Sequence, residues 1–127
     1  MGEKVMVVDD ARVVRVSLGR IMRSLGFEVI KCEDGQQAMD AITEHPDVRL
    51  IMLDWHMPVM NGYDFLVRLR EMPEHTSSPL VVMVTTEASL PSMMKALSSG
   101  ADEYIMKPFD VSIIKSKLDM LGVAYQS

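Results

Sequence analysis

Four short runs of mainly apolar residues each break off into a side chain able to do ion or phosphoryl chemistry. Val5-Met6-Val7-Val8 ends at Asp9-Asp10, and Leu50-Ile51-Met52-Leu53 ends at Asp54. Leu80 to Val84 ends at Thr85-Thr86, and Glu103 to Met106 ends at Lys107-Pro108. Three carboxylates brought together repel one another, and one or more would take up a proton at a cost in stability. A hard divalent cation relieves that repulsion. Magnesium takes oxygen ligands in an octahedral shell and keeps waters that a phosphate oxygen can replace. Lys107 offers a compact positive charge for a phosphoryl oxygen or a carboxylate. The Thr85 hydroxyl can donate to another phosphoryl oxygen. A carboxylate can itself be the nucleophile and yield an acyl phosphate, with metal and lysine stabilising the transferring group. Taken singly, Asp10 reads as a helix cap, Asp54 as a turn residue, and Thr85 or Lys107 as surface. The combination in this order reads as a site.

The elements that must position these residues alternate along the chain. After the first run, Val14, Leu18, Ile21 and Leu25 are spaced to line one helical face, and Gly26 can end that helix. Glu28 to Cys32 reads as a second strand, and Asp34-Gly35 opens a helix with Ala38, Ala41 and Ile42 inward. The wholly apolar third strand suits the centre of a parallel sheet covered on both faces. A loop with Pro58 and Asn61-Gly62 leads into a helix bearing Phe65, Leu66, Leu69 and Met72. A fourth helix is expected from about Pro91 to Ser99, with Gly100 ending it. Asp110 is a good N-cap for a last helix carrying Val111, Ile114, Leu118 and Leu121. Five strands alternating with five helices predict an α/β fold, a parallel sheet with helices on both faces. The flavodoxin-like strand order 2-1-3-4-5 is a common solution. It makes the first and third strands neighbours, with ligands at their C-terminal ends.

Bulk properties bound the answer. The chain has 127 residues, enough for one domain with a real core, and is 48% hydrophobic and 24% charged. A net charge of -5 argues against a nucleic-acid surface, which needs a basic face. The single cysteine, Cys32, cannot form an intramolecular disulfide, which favours a reducing, cytoplasmic setting and a packing role. No apolar run approaches the ~18 residues of a membrane span, so no membrane insertion is expected. The 13 methionines read first as core filling by a flexible side chain, and alternatively a few of them, such as Met93 and Met94, as an adaptable docking surface.

On Val7-Val8-Asp9-Asp10, Leu53-Asp54-Trp55-His56-Met57-Pro58, Asn61-Gly62, Met83-Val84-Thr85 and Lys107-Pro108-Phe109, the chain resembles the receiver domains of two-component response regulators. The likeness is to the single-domain chemotaxis type and covers essentially residues 1–127 as one receiver domain. It implies that Asp54 is the phosphoacceptor for a histidine kinase. Asp10, Asp54 and the His56 backbone carbonyl would hold Mg2+ directly, with Asp9 acting through water or at longer range. Lys107 would contact the phosphoryl group and precede a cis proline. Thr85 and Tyr104 would be the switch pair, altering partner binding on the face of helix four, strand five and helix five. The resemblance implies a signalling protein that catalyses only its own phosphorylation and dephosphorylation.

His56, Thr86 and Glu87 vary within the family and are expected to modulate phosphotransfer. A β-branched Thr86 would narrow access to the site. His45 and His75 read as loop or helix-end residues without chemistry. A phosphorelay carrier and a receiver cut from a longer regulator remain open as alternatives. A phosphatase of the haloacid dehalogenase type does not fit, because it needs a second Asp two positions after the strand-end Asp, and here Ala11 follows Asp10. A monomer is expected, with phosphorylation-linked dimerisation through the same face as helix four left open.

Overall fold

The computed structural model describes residues 2–126. Five parallel strands form one sheet in the order β2-β1-β3-β4-β5. They are β1 (Lys4–Val8), β2 (Glu28–Cys32), β3 (Leu50–Leu53), β4 (Leu80–Thr85) and β5 (Glu103–Met106). The helices are α1 (Arg12–Ser24), α2 (Gly35–Glu44), α3 (Gly62–Glu71), α4 (Leu90–Ser98) and α5 (Val111–Leu121). The expected fold class and strand order are therefore those observed.

The two-residue period of the strands sorts the core into two layers. Met6, Val8, Ile51, Leu53, Val81, Met83 and Tyr104 face one way, against Ala38 and Ile42 of α2, Phe65, Leu66 and Leu69 of α3, and Ala96 of α4. Val5, Val7, Leu50, Met52, Val82, Val84 and Ile105 face the other, against Leu18 and Met22 of α1 and Ile114 and Leu118 of α5. Every residue of β3 is buried, as its uninterrupted apolar run requires.

Local chemistry sets the helix ends. Asp34, Asn61, Ser89 and Asp110 each accept a backbone N–H with their side chains at the starts of α2, α3, α4 and α5. Gly122 closes α5 in the left-handed conformation at φ 71°. Several boundaries move by a residue or so from expectation. Lys4 extends β1, Thr85 ends β4, and α4 begins at Leu90 because Ser89 caps it and Pro91 fits the first turn. Met72 follows α3 rather than belonging to it, and it opens a short 3-10 turn over Pro73–His75 that periodicity did not signal. His75 is buried there, with Nδ1 beside the Ser78 carbonyl at 3.1 Å, while its own carbonyl accepts from Arg70. Cys32 is buried too, and burial first, then the charges of Asp34 and Asp40, push its thiol up to about 12. Among the described residues no helix is long and apolar enough to cross a membrane.

Candidate functional site

Parallel pairing places the C-terminal ends of the strands on one edge. Val8 is in register with Leu53, so Asp9 and Asp54 leave adjacent strands side by side. Thr85 is in register with Met106, which sets Lys107 one residue beyond it. The Lys107 peptide to Pro108 is cis.

The charges converge at this edge. Lys107 Nζ donates to Asp9 Oδ2 at 2.7 Å and lies 3.4 Å from Asp54 Oδ2. The other Asp9 oxygen accepts the Ala11 N–H at 2.9 Å, and Asp54 Oδ1 accepts the Trp55 N–H at 2.8 Å. Asp9 and Asp54 are buried, whereas Asp10 is exposed. Asp10 does not cap α1. Ala11 holds the N-cap position, and its side chain offers no cap hydrogen bond. One oxygen from each of Asp9, Asp10 and Asp54 can be chosen so that all lie within 4.8 Å of one another.

One lysine cannot neutralise three carboxylates. Burial raises the Asp9 pKa above 3.8, and the Asp54 charge adds to that rise, against the lowering by Lys107 and the Ala11 N–H. Burial pulls the Lys107 ammonium down, but its bond to Asp9 and the charge of Asp54 outweigh this and raise it. The unbalanced negative charge and the all-oxygen donor set fit a hard divalent cation such as Mg2+.

The remaining candidates form a second layer beside this cluster. Thr85 is fully buried, and its Oγ1 accepts the Glu87 N–H at 3.2 Å. The Glu87 carbonyl accepts the Tyr104 hydroxyl at 2.7 Å. Burial, then the charges of Glu87 and Asp54, raise the Tyr104 pKa. The Glu87 carboxyl lies 2.9 Å from His56 Nε2, and its hydrogen bonds with His56 and then Ser89 hold it below the usual carboxylate range. Thr86 is exposed on the rim of a cavity of about 360 Å³ that Lys107, Val13 and Phe109 also line. His45 and His75 lie apart from the cluster, at the end of α2 and in the 3-10 turn.

Three contributors escaped the sequence reading. Arg15 Nη1 donates to the Asp9 carbonyl at 2.7 Å, a reach from the first turn of α1 that only the fold defines. Gly62 donates its N–H to the Trp55 carbonyl at 2.8 Å. A Cβ at Gly62 would lie 1.8 Å from the Asp54 carbonyl oxygen, so only glycine lets α3 approach the Asp54 loop this closely. Tyr63 stacks on Trp55 with ring centroids 5.3 Å apart and planes at 15°. The Asn-Gly pair signalled the first of these two close approaches only as a turn. Of the two methionines named for a docking surface, Met94 is exposed, whereas Met93 packs against the core.

The chain as a whole is similar to known proteins. A sequence model of the response regulator receiver domain matches residues 5–119. The Campylobacter jejuni chemotaxis protein CheY homolog is 36% identical over 121 residues, covering 94% of this chain and 92% of its own length. Helicobacter pylori CheY1 is 33% identical over 119 residues, covering 93% of this chain and 95% of its own length. Among solved structures, CheY from Borrelia burgdorferi, in a complex with CheX, BeF3 and Mg2+, superposes with a TM-score of 0.88 at 27% identity. That match covers 95% of this chain and 90% of the other. Vibrio cholerae CheY4 gives 0.86 at 27% identity, covering 94% and 98% of the two chains. The chain belongs to the response regulator receiver domain family and is of the CheY-like chemotaxis type.

Proposed function

We propose that this receiver, read as one unit over residues 1–127, is switched by phosphorylation of Asp54. The observation that carries this reading is Lys107, set between Asp9 and Asp54 at 2.7 and 3.4 Å with Asp10 close by. The site's chemistry then follows from its residues. An Asp54 oxygen attacks the phosphorus of a phosphohistidine on a kinase. The P–N bond breaks, and its electron pair passes to the imidazole ring. A carboxylate is already an anion, so the step needs no base. Lys107 offsets charge on the phosphoryl oxygens. Thr85 has its acceptor side occupied by the Glu87 N–H, which leaves its O–H free to donate to the new group.

Asp9, Asp10, Asp54 and the His56 backbone carbonyl are the groups that would hold Mg2+. The bound ion would supply Lewis-acid stabilisation of the phosphoryl oxygens. The Borrelia relative solved with BeF3 and Mg2+ supports this assignment. Beyond its own phosphorylation and dephosphorylation the chain is a signalling protein rather than an enzyme with a separate substrate.

The output is a population shift rather than a new fold. Tyr104 is already buried and tied to Glu87, so the acyl phosphate would favour an arrangement the chain can adopt unaided. The α4-β5-α5 face carries exposed Leu90, Met94, Leu97, Met106 and Ile113, an apolar surface suited to a protein target. CheX in the Borrelia complex is one such partner of a relative.

Trp55 fluorescence tests the reading, because its amide bonds to Asp54 and its ring stacks on Tyr63. Mg2+ is expected to change the emission, and acetyl phosphate to change it again, with Asp54→Asn losing the second change. No donor response, with intact mass also showing no phosphorylation, would refute the assignment of Asp54.

A further inference from the structure

The two side chains that follow Asp54 are linked to opposite ends of α4. At the C-terminal end, Trp55 stacks on Tyr63 of α3. Lys95 Nζ sits 4.4 Å above the Tyr63 ring, and the Tyr63 hydroxyl meets Ser99 Oγ at 2.8 Å. Lys95 is in the last turn of α4, and Ser99 is its C-cap. At the N-terminal end, His56 reaches Glu87 at 2.9 Å. Glu87 Oε2 accepts from Ser89 Oγ at 3.2 Å, and Ser89 is the N-cap of α4.

The helix between these ties has little else to fix it. Ala96 is its only fully buried residue, and Met93 is half-buried against the same core. Leu90 and Met94 are 65% and 61% exposed. By contrast α3 buries Gly62, Phe65, Leu66 and Leu69. A helix with so small a buried stripe takes its position from its side-chain ties. The input end is equally direct, because the Trp55 N–H is bonded to Asp54 Oδ1. Any change in charge on that carboxylate changes what the Trp55 amide is bound to.

We propose that Trp55 and His56 transmit the state of Asp54 to both ends of α4, through Tyr63 at one end and Glu87 at the other. The proposal rests on Asp54 as phosphoacceptor for its input, whereas the ties themselves exist without it. Their C-terminal branch runs through α3 and bypasses Thr85 and Tyr104.

Hydrogen exchange on the full chain, read by mass spectrometry, tests it with Tyr63→Leu and Tyr63→Phe. Before any donor is added, Tyr63→Leu should speed exchange over residues 95–100 about five- to tenfold, through the loss of one aromatic stack, one cation–π contact and the hydroxyl bond to Ser99, and leave α5 unchanged. Tyr63→Phe keeps both ring contacts, loses only the hydroxyl bond to Ser99, and should lie between the wild type and Tyr63→Leu. With Mg2+ and acetyl phosphate, and acyl phosphate verified by intact mass, the wild type should change at both ends of α4. Tyr63→Leu, compared at equal phosphorylation by intact mass, should change only at the N-terminal end. Unaltered exchange in Tyr63→Leu before donor, or an equal donor response at both ends in variant and wild type, would overturn the proposal. A wild type that gains no phosphoryl group would refute the phosphoacceptor reading and the transmitted signal together. The comparison before donor would still decide whether the ties hold α4.

Discussion

Lys107 Nζ sits between Asp9 and Asp54, 2.7 Å from one carboxylate and 3.4 Å from the other, so a single cation holds two buried acids in place. Replacing it with methionine leaves both acids with their backbone N–H donors but without a counter-charge. Lys107→Met should lower metal-free stability by about 2–3 kcal/mol, less than a fully buried pair because the cleft opens to water at Asp10. Mg2+ should restore much of this loss. Urea unfolding with and without Mg2+ measures both effects, and an unchanged midpoint in the absence of metal would show that the lysine carries no structural role.

The same crowding gives a pH dependence with a defined sign. The folded pKa of Asp9 lies above 3.8, raised by burial first and helped by Asp54. The contribution of Asp9 therefore favours folding below pH 3.8 and is lost as pH rises through the raised folded value. A bound divalent cation favours the charged form and reverses this. The increase in Tm produced by Mg2+ should thus grow from about pH 4 to pH 7. Thermal melts across that range check it, and an increment that shrinks with rising pH would contradict it.

Asp10 meets other negative charges and does not cap α1. Asp10→Asn should raise the stability of the metal-free protein by about 0.5–1 kcal/mol, the size of one screened repulsion near the surface. It should also weaken Mg2+ binding. Unfolding curves and a Mg2+ titration followed by Trp55 emission report the two changes separately.

Two glycines separate steric from conformational cost. Gly62→Ala puts a methyl group 1.8 Å from the Asp54 carbonyl oxygen, and should cost about 2–3 kcal/mol as α3 is pushed from the loop. Gly122 has φ 71° and open space around it, so Gly122→Ala should cost only about 1 kcal/mol of backbone strain. Equal losses in paired urea titrations would mean that the contact at Gly62 relaxes freely.

Much of this arrangement could be read from residue types alone. Apolar runs ending in Asp9-Asp10, Asp54, Thr85 and Lys107 defined the strand ends, and parallel pairing puts those ends on one edge. The caps at Asp34 and Asp110 were legible because the chemistry of a helix start is local. What stayed hidden depends on distances between elements far apart in the chain. The Tyr63 stack on Trp55 joins a helix to a loop, and the four bonds that meet at Glu87 involve Thr85, His56, Ser89 and Tyr104. His75 was hidden for a related reason, since its burial follows from the Arg70 guanidinium and the Ser78 carbonyl rather than from any periodicity.

The bond between Lys107 and Asp9 joins residues 98 positions apart, from the first strand to just past the last. β5 is an edge strand that pairs only with β4, so the lysine arrives only once the final strand has docked. A chain still lacking that strand has its acids but no counter-charge among them. Assembly of the charged cleft is therefore a report on completion of the whole sheet, and such late, long-range closure is the slow kind. A copy with β5 undocked would hold its two buried acids side by side without the lysine that separates their charges.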